Sequence, residues 1–309
     1  MRAVVTGGAG FIGSTLVDVL VERGDEVHVV DDLSSGRREQ VPAGARLHVL
    51  DIREPLADVL ADARPEVVFH LAAQIDVRRS VADPVADAAT NVLGTLQVLE
   101  LARAHDAQVV FASTGGAIYG ECEDPATEAA ERRPVSPYGT SKLSAEEYLA
   151  AWNRLYGTRH VALRLGNVYG PRQDPHGEAG VVAIFLEKML SGEQPTIFDD
   201  GELTRDYVFV EDVARANVAA LNADLSKDPD PIFNVSTNRG TSVNKLFAML
   251  RQALGSPIEA KYGPPRPGDV RHSVLDNSRA KRVLGFEPKV ELPEGVRRTV
   301  EFFRARHPK

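Results

Sequence analysis

The amino-acid sequence predicts an α/β fold in which a parallel sheet is covered by helices on both faces. Three observations support this prediction. Short β-branched runs alternate with helical patterns over the first two-thirds of the chain, a glycine-rich turn joins the first run to the first helix, and 309 residues of 43% hydrophobic composition suffice for a large core. The chain therefore forms one large domain, or one domain with a smaller lobe.

Six strand-like runs define the predicted sheet. They are residues 3–6, 26–30, 46–50, 66–71, 108–112 and 160–165. Apolar residues recur at helical spacing between the runs, for example at Ile12, Leu16 and Leu20. Gly24 and Gly157 are natural helix stops, because glycine readily adopts the left-handed conformation that ends many helices.

Beyond Gly166 the alternation of strands and helices becomes less regular. We predict a helix at 181–190, a strand at 207–210 before a helix from about Asp212, a strand at 232–235 before a helix from about Ser242, and a final helix from about Val290. Residues 1–166, with 207–236 returning to them, are predicted to form the sheet domain. Residues 167–206 and 237–309 are predicted to form the smaller lobe.

The composition limits the partners and the location of the protein. A net charge of −8 argues against general binding to nucleic acid or to an anionic membrane, and no apolar run reaches membrane-spanning length. Cys122 is the only cysteine, so the chain forms no internal disulfide and no zinc ribbon, and we expect no metal. Because the first strand begins at about Ala3, there is no room for a signal peptide, and we expect a cytoplasmic protein.

The turn after the first strand has the spacing of a dinucleotide-binding loop. Gly8, Gly10 and Gly13 fit the pattern G-x-G-x-x-G, and Gly7 with Gly10 and Gly13 gives the related spacing. The glycines permit a tight turn, close approach of the backbone to a pyrophosphate, and close packing of helix on strand. The turn therefore predicts a Rossmann-type, doubly wound sheet with the pyrophosphate at the helix N-terminus.

Two acidic residues follow the next strands at positions that suit the adenosine half of a dinucleotide. Asp31 ends the second strand, eighteen residues after Gly13, where a carboxylate would bind the ribose hydroxyls and repel a 2′-phosphate. This favours NAD over NADP, although Arg37 and Arg38 follow closely and are interpreted as solvated loop charges. Asp51 follows the third strand and is either an acceptor for the adenine amine or a simple turn residue.

Tyr138 and Lys142 form a candidate catalytic pair. They are four residues apart, about one helical turn, so the phenol and the ammonium share one helix face. Ser136 suits the N-cap and Pro137 the first helical position, which places Tyr138 in the first turn. The helix dipole and the Lys142 charge both favour a phenolate, as a tyrosine base working near neutral pH requires.

In their order along the chain, these residues resemble the extended short-chain dehydrogenase/reductase family, and more narrowly its nucleotide-sugar epimerases. Further matching runs are HLAAQ at 70–74, NVLGT at 91–95, RLGNVYGPR at 164–172, RDY at 205–207 and RPGD at 266–269. The resemblance implies NAD as cofactor. The residues it implies for NAD binding are Gly7, Gly10, Phe11, Ile12, Gly13, Asp31, Asp51, Ile52, Leu71, Ala72, Ala73, Asn91, Tyr138 and Lys142.

The resemblance also implies the reaction. Tyr138 would remove the proton from the sugar 4-hydroxyl while the C4 hydrogen leaves as hydride to NAD, and hydride would return to the opposite face of the 4-keto sugar. The family usually has a serine or threonine where this chain has Gly115, so Thr114 is the candidate for the missing hydroxyl and Ser113 the reserve; alternatively, both satisfy backbone groups at a strand end. Gly115, Gly116 and Ala117 lack the acids that dehydratases and decarboxylases of the family use.

A UDP-sugar substrate is implied by residues of the carboxyl-terminal half. Arg205 and Arg266 match the diphosphate ligands of the family, and planar guanidinium groups suit phosphate oxygens, although surface ion pairs are the alternative. Ser273 borders the sugar pocket in the family, where a small side chain leaves room for an N-acetyl group, or it is an exposed loop serine. The full set implied for substrate binding is Asn167, Thr196, Phe198, Arg205, Arg266, Asp269 and Ser273.

The expected activity is therefore the interconversion of UDP-glucose and UDP-galactose, with UDP-GlcNAc as a further possible substrate and UDP-glucuronate as the alternative one. Two other classes remain open: a redox-sensing binding protein on the same fold, and a net dehydrogenase that exchanges its cofactor. The helices around 84–104 and 137–156 resemble those of the family's dimer interface, so the resemblance implies a homodimer.

Overall fold

The computed structural model describes residues 1–122, 124–176, 180–226, 230–266 and 269–307. The strands are β1 (Arg2–Thr6), β2 (Glu26–Asp31), β3 (Ala45–Val49), β4 (Val67–His70), β5 (Gln108–Thr114), β6 (Val161–Leu165), β7 (Asn167–Tyr169), β8 (Thr196–Phe198), β9 (Thr204–Phe209), β10 (Ile232–Val235), β11 (Gly240–Ser242), β12 (Lys261–Gly263) and β13 (His272–Ser273).

The helices alternate with the strands through most of the chain. They are α1 (Phe11–Glu22), α2 (Ala57–Ala63), α3 (Val77–Ala82), α4 (Pro84–Ala88), α5 (Gly94–Ala104), α6 (Gly115–Ile118), α7 (Pro137–Tyr156), α8 (Val181–Leu190), α9 (Val210–Ala220), α10 (Val243–Leu254), α11 (Ser278–Leu284) and α12 (Leu292–Arg306). A 3-10 turn covers Arg38–Gln40, and a π turn at Ala89–Leu93 joins α4 to α5.

Seven parallel strands form the main sheet, in the order β3-β2-β1-β4-β5-β6-β10. The six predicted runs are β1 to β6, and each agrees with its strand to within two residues at either end. Side chains of α1 and α9 share one core with one face of the sheet, and those of α2, α5 and α7 share a second core with the other face. The prediction of a doubly wound α/β fold is confirmed. The order of the strands reverses between β1 and β4, where such sheets bind ligands.

A smaller part of the chain packs beside the carboxyl ends of these strands. There β11, β9 and β13 form one sheet to which β7 adds through β9, and β12 pairs with β8. A third core lies between this part and α8, α10 and α12. The last strand of the main sheet, β10, and the helix α9 belong to the predicted returning segment, whereas β9 lies in the smaller sheet. The division into domains stays a prediction.

The start of α9 differs from the expected one. The sequence predicts a strand through Val210 and a helix from about Asp212, but the strand ends at Phe209 and the helix begins at Val210. Phe209 keeps an extended conformation as the N-cap, and Glu211 and Asp212 both fall in the first turn. Carboxylates there stabilise the positive end of the helix dipole, which favours the earlier start.

The helix that carries the candidate catalytic pair begins and ends as predicted. The Ser136 hydroxyl accepts a hydrogen bond from the Gly139 amide at 3.2 Å, and Pro137 is the first helical residue. Gly157 ends the helix in the left-handed conformation, with φ of 68°. Tyr138 is thus in the first turn of α7.

Within the described residues, none of the helices combines the length and the apolar character that crossing a membrane requires.

Candidate active site

The backbone of the glycine turn packs so closely on its neighbours that side chains would not fit at Gly7 or Gly13. Gly7 has φ of +70°, and a Cβ there would lie 2.7 Å from the Ala72 nitrogen. A Cβ on Gly13 would lie 2.0 Å from the Gly7 oxygen, so α1 can approach the turn only because residue 13 is glycine. Gly10 is the N-cap of α1, and no side chain caps that helix end. Its free amides suit a pyrophosphate, so this turn fits the dinucleotide that the sequence predicts.

Asp31 is built into the same turn. One carboxylate oxygen accepts a hydrogen bond from the Ala9 amide and the other from the Leu33 amide, both at 2.9 Å. Burial raises the pKa of Asp31, while these two amide bonds lower it. The Arg37 amide in turn binds the Ala9 oxygen at 2.9 Å, and the Arg37 side chain is exposed. The carboxylate is therefore fixed at the end of β2, as a ribose ligand requires.

The other residues predicted to bind the cofactor differ in how far their side chains are already held by neighbouring residues. Asp51 is held in an ion pair by Arg53 at 2.5 Å, which lowers the pKa of Asp51. Ile52 is buried, and a Cβ on Gly94 would lie 2.8 Å from its Cδ1. Asn91 lies in the π turn, with its side chain bonded to both backbone groups of Gln74 at 2.9 and 2.8 Å. Asn91 thus holds the segment after β4 in place.

That segment is also attached to the first strand. The amides of Leu71 and Ala72 donate to the Thr6 carbonyl and hydroxyl oxygens, and Ala73 follows them.

Tyr138 and Lys142 are brought together with Thr114 beside this crevice. The Thr114 hydroxyl, at the end of β5, lies close enough to the Tyr138 phenol to lower the pKa of Tyr138. The Lys142 ammonium is buried, donates to the Ala112 oxygen at 2.9 Å and lies 4.6 Å from the centre of the Phe111 ring. The Tyr138 amide donates to the Ser80 hydroxyl at 3.2 Å, which ties the first turn of α7 to α3.

The pKa of Tyr138 differs from the sequence expectation. Its pKa is raised to about 12, chiefly by burial and in part by the Asp87 charge, although the Thr114 hydroxyl lowers it. Burial also lowers the pKa of Lys142 to about 8, against the charges of Asp87 and Glu146. The expected lowering by the helix and Lys142 is therefore wrong for the protein alone, because desolvation of the phenolate outweighs it.

The two candidate hydroxyls have different partners. Thr114 lowers the pKa of the Tyr138 phenol beside it, whereas the Ser113 hydroxyl donates to the buried Glu146 carboxylate at 2.5 Å. Successive residues of a strand point to opposite faces, so only one of the two can meet the phenol. Thr114 is the candidate that the geometry supports, and Ser113 belongs to a separate network.

That network was missed by the sequence analysis. Glu146 forms a buried ion pair with Arg164 at 2.7 Å, and Arg164 also donates to the Tyr119 hydroxyl at 2.7 Å. Tyr119 in turn donates to Asn234 at 2.8 Å, so the network links α7, β5, β6 and β10. One signal was available: Glu146 is four residues after Lys142, on the helix face that carries Tyr138.

Three predicted substrate residues converge next to Thr114. A Cβ on Gly116 would lie 3.9 Å from the Ser273 hydroxyl and 4.0 Å from the Asn167 side-chain oxygen. Ser273 pairs with Arg205 in the register of β13 and β9, and Arg205 donates to the Thr204 oxygen at 2.8 Å. Sequence reasoning did not assign Gly116 to the pocket, although its lack of a side chain keeps that space open.

The remaining substrate residues lie on and after β8 and β12. Thr196 pairs with Lys261 and Phe198 with Gly263. The Arg266 guanidinium stacks on the Phe198 ring, 3.5 Å from its centre, and the Asp269 amide donates to the Arg266 oxygen at 3.2 Å. Residues 267 and 268 of the predicted RPGD run lie outside the described residues. Roles for these side chains stay predictions.

One group of possible metal ligands occurs in the described part of the chain. Ligand atoms of His28, His48 and Asp62 lie within 4.8 Å of one another. However, the two histidines are hydrogen-bonded to each other at 3.0 Å, and Asp62 is paired with Arg46 at 2.5 Å. The expectation of a metal-free protein stays a prediction.

A parallel sheet with a glycine turn at its switch point, an acid at the end of β2 and a Tyr–Lys pair beside the crevice together define a dinucleotide-binding α/β protein. The sequence profile of the NAD dependent epimerase/dehydratase family matches residues 3–236. The chain belongs to this family.

Relatives with a similar sequence extend over nearly the whole chain. A UDP-glucose 4-epimerase of Mycolicibacterium smegmatis is 48% identical over 98% of this chain and 99% of its own. The crystal structure of a UDP-glucose 4-epimerase from Thermotoga maritima with UDP-glucose is 50% identical, with a TM-score of 0.95 over 99% of both chains. That of a Thermus thermophilus UDP-glucose 4-epimerase with NAD is 46% identical, with a TM-score of 0.92 over 98% of this chain and 99% of its own.

Proposed function

We propose that this protein is an NAD-dependent UDP-glucose 4-epimerase, an isomerase that interconverts UDP-glucose and UDP-galactose. The observation that carries the proposal is the half-buried Tyr138 phenol, beside Thr114 and one turn from Lys142, at the switch point of a dinucleotide-binding sheet. The similarity of the whole chain to UDP-glucose 4-epimerases supports the choice of substrate.

The residues of the site have distinct tasks in this reaction. Bound NAD supplies a hydride acceptor that also returns the hydride. Tyr138 takes the proton of the sugar 4-hydroxyl, and Thr114 donates a hydrogen bond to the 4-oxygen or to the phenolate. The pKa of Tyr138 is about 12 even with Lys142 one turn away, so a further positive charge beside the phenol is needed to lower it in the working enzyme.

The surroundings of the sugar favour return of the hydride over elimination. Gly115, Gly116 and Ala117 occupy the turn after Thr114, and none of these side chains can move a proton. Arg205 and Arg266 would hold the diphosphate, while Asn167 and Ser273 face the space at Gly116. A 4-keto sugar would therefore be retained and reduced on its other face.

The proposal is tested by proton NMR of the purified protein incubated with UDP-glucose, without added NAD. We expect UDP-galactose to form, and denaturation to release about one NAD per chain, since NAD is regenerated in each cycle. An empty site would favour the cofactor-exchanging dehydrogenase, and bound NAD without turnover would favour the redox-sensing protein.

The role of Tyr138 is tested by Tyr138→Phe, which we expect to lose nearly all turnover while keeping bound NAD. Tyr148→Phe is the matched control, because Tyr148 is on the same helix and 40% exposed. Near-normal turnover of Tyr138→Phe would reject Tyr138 as the base.

UDP-GlcNAc is the second candidate substrate, favoured by the small side chains around the sugar. Ser273 and Gly116 leave open the space that a large residue at position 273 would fill. We expect turnover of UDP-GlcNAc in the same NMR assay, and its selective loss in Ser273→Tyr with UDP-glucose turnover retained. A wild-type protein that turns over UDP-glucose but leaves UDP-GlcNAc unchanged would refute this extension. UDP-glucuronate serves as the third substrate in the comparison.

We also propose that the protein is a homodimer through the outer faces of α3, α4, α5 and α7. Of eleven large apolar side chains that are exposed in the described residues, nine lie in segments 75–93 and 135–156, whose helices pack on each other. A cluster of this kind is typical of a protein interface. In sedimentation experiments, we expect the wild type to be a dimer and Val85→Glu to be a monomer. The control Val49→Glu should remain a dimer, and a monomeric wild type would contradict the proposal.

A cytoplasmic location is inferred from the cysteine content and the proposed substrate. Cys122 is a free thiol, and burial together with the Glu121 charge raises its pKa, so it is kept mainly as the thiol. Such a protein suits a reducing compartment that also holds NAD and nucleotide sugars. Fractionation of the source cells should recover the protein in the cytoplasmic fraction, and recovery in another fraction would contradict this inference.

A further inference from the structure

Asp87 is a buried carboxylate beside the catalytic pair, and no motif of the sequence draws attention to it. Its side chain is 1% exposed and accepts three hydrogen bonds, from Ser141 at 2.7 Å, Gln74 at 2.8 Å and Asn91 at 3.1 Å. It lies in α4, directly before the π turn that places Asn91 one turn further on. π turns are frequent at functional sites.

The three donors to Asp87 are neutral side chains. Asp206 is also buried among neutral donors, but three of its four are backbone amides. Two other buried carboxylates are paired with arginines. Glu146 is paired with Arg164 at 2.7 Å, and Asp212 is paired with Arg215. An opposite charge nearby stabilises a buried charge further, because amides and hydroxyls replace only part of its hydration. Within the described part of the chain, the buried cation whose ionisation Asp87 affects is Lys142, the neighbour of Ser141.

The other groups around Lys142 leave its charge without a full partner. On its own helix, Tyr138 is a neutral phenol and Glu146 is balanced by Arg164. From the sheet, the Ala112 oxygen accepts its hydrogen bond, the Phe111 ring lies beneath it, and His70 is neutral because burial lowers the pKa of His70 to about 3. From α4, Asp87 supplies the net negative charge.

We propose that Asp87 is the buried counter-ion of Lys142 and a positioning residue for the Tyr138–Lys142 pair. Its carboxylate keeps the Lys142 ammonium charged in a desolvated site, and its bond to Ser141 fixes α7 against α4 at the residue next to Lys142. This inference rests on the proposed function, since the pair matters only if Tyr138 is the base. It adds a fixed negative charge whose influence extends to both members of the pair.

The charge has an effect that a purely structural side chain lacks. A negative charge raises the pKa of both neighbours, Tyr138 and Lys142. Its removal therefore lowers both values, so the phenolate forms at lower pH and the ammonium is lost at lower pH. In a bell-shaped profile of kcat/KM against pH, both limbs should move in the same direction.

The test is the pH profile of UDP-glucose turnover by Asp87→Asn, which keeps the shape and removes the charge. We expect both limbs to shift to lower pH by about one unit, the order of effect of one nearby charge. Asp212→Asn is the matched control, a fully buried carboxylate in α9 whose loss should leave both limbs in place. A slower Asp87→Asn enzyme with unmoved limbs would overturn the proposal. Absence of wild-type epimerisation would instead refute the proposed function.

A second measurement decides the matter if Asp87→Asn folds poorly. Urea unfolding is compared for wild type, Asp87→Asn, Lys142→Met and the double variant, all in the same excess of NAD. If Asp87 is the counter-ion, the two substitutions should be strongly coupled. The double variant should lose less free energy of unfolding than the two single variants lose together, or should fold where Asp87→Asn does not. Additive losses, or a double variant that also fails to fold, would overturn the pairing.

Discussion

Thr114 and Ser113 show how one residue of offset decides the chemistry of a site. Both are hydroxyl residues at the end of β5, yet Thr114 lowers the pKa of the Tyr138 phenol while Ser113 donates to Glu146. Successive side chains of a strand point to opposite faces of the sheet, so the two hydroxyls cannot exchange roles without a shift of register. We therefore propose that Thr114, directly before Gly115, supplies the hydroxyl that the family usually has at that position.

Removal of the Thr114 hydroxyl should slow the chemical step. We expect Thr114→Val to lower kcat by about a hundredfold, the effect typical of losing one hydrogen bond to a developing oxyanion, with bound NAD unchanged. Ser113→Ala is the control and should change kcat far less, although it leaves Glu146 with one donor fewer. Steady-state kinetics with UDP-glucose measure both. A larger loss of kcat in Ser113→Ala than in Thr114→Val would show that the assignment of the hydroxyl to Thr114 is wrong.

At the scale of elements, α7 organises the site by helical spacing. Tyr138, Lys142 and Glu146 recur every four residues on one face, and that face meets β5 and α4. The Ser136 cap fixes where the helix begins, so it also fixes the turn in which Tyr138 lies. The π turn between α4 and α5 then brings Asn91 and Asp87 to the same helix from the other side.

Loss of the cap of α7 should cost stability. Ser136→Ala removes the acceptor of the Gly139 amide, and we expect the free energy of unfolding to fall by about 1 kcal/mol. Ser144→Ala on the same helix is the control; Ser144 bonds the Thr140 oxygen in the helix interior, where alanine is the better helix former, so no loss is expected. Urea unfolding at one pH compares the two. Equal losses would argue against a capping role.

At the scale of the whole molecule, two buried histidines make stability depend on pH. Burial lowers the pKa of His70 to about 3 and that of His160 to about 4, and both side chains are fully buried. His70 is bonded to Thr6 and Thr95, and His160 accepts from the Val109 amide. The folded protein therefore keeps both rings neutral where the unfolded chain would protonate them.

Acid should unfold the protein through these groups. Their folded pKa values lie below the unfolded value near 6.5, so the stability they contribute is present above pH 6.5 and is lost as pH falls towards 4. Each contributes a slope of about 1.4 kcal/mol per pH unit in that window. His160→Asn should reduce the measured slope of unfolding free energy between pH 6 and 4.5 by about this amount, and exposed His176→Asn should not. An unchanged slope in His160→Asn would contradict the assignment.

Local patterns in the sequence determined a large part of this protein. The spacing of Gly7, Gly10 and Gly13, the position of Asp31 at a strand end and the spacing of Tyr138 and Lys142 each depend on backbone geometry within one or two elements. The strands β1 to β6 of the main sheet and the ends of α7 follow from the same local rules. For this reason the fold and the cofactor class could be predicted before any contact was known.

Only the tertiary structure decided which distant groups meet. The choice of Thr114 over Ser113, the raised pKa of Tyr138, the pocket face of Gly116 and the charge of Asp87 beside Lys142 all depend on how strands and helices pack. Burial and contacts between segments tens of residues apart leave no periodic trace in the sequence, and desolvation there can exceed the local effects of a helix dipole. The residues of the reaction are thus local features, while their ionisation is a property of the folded molecule.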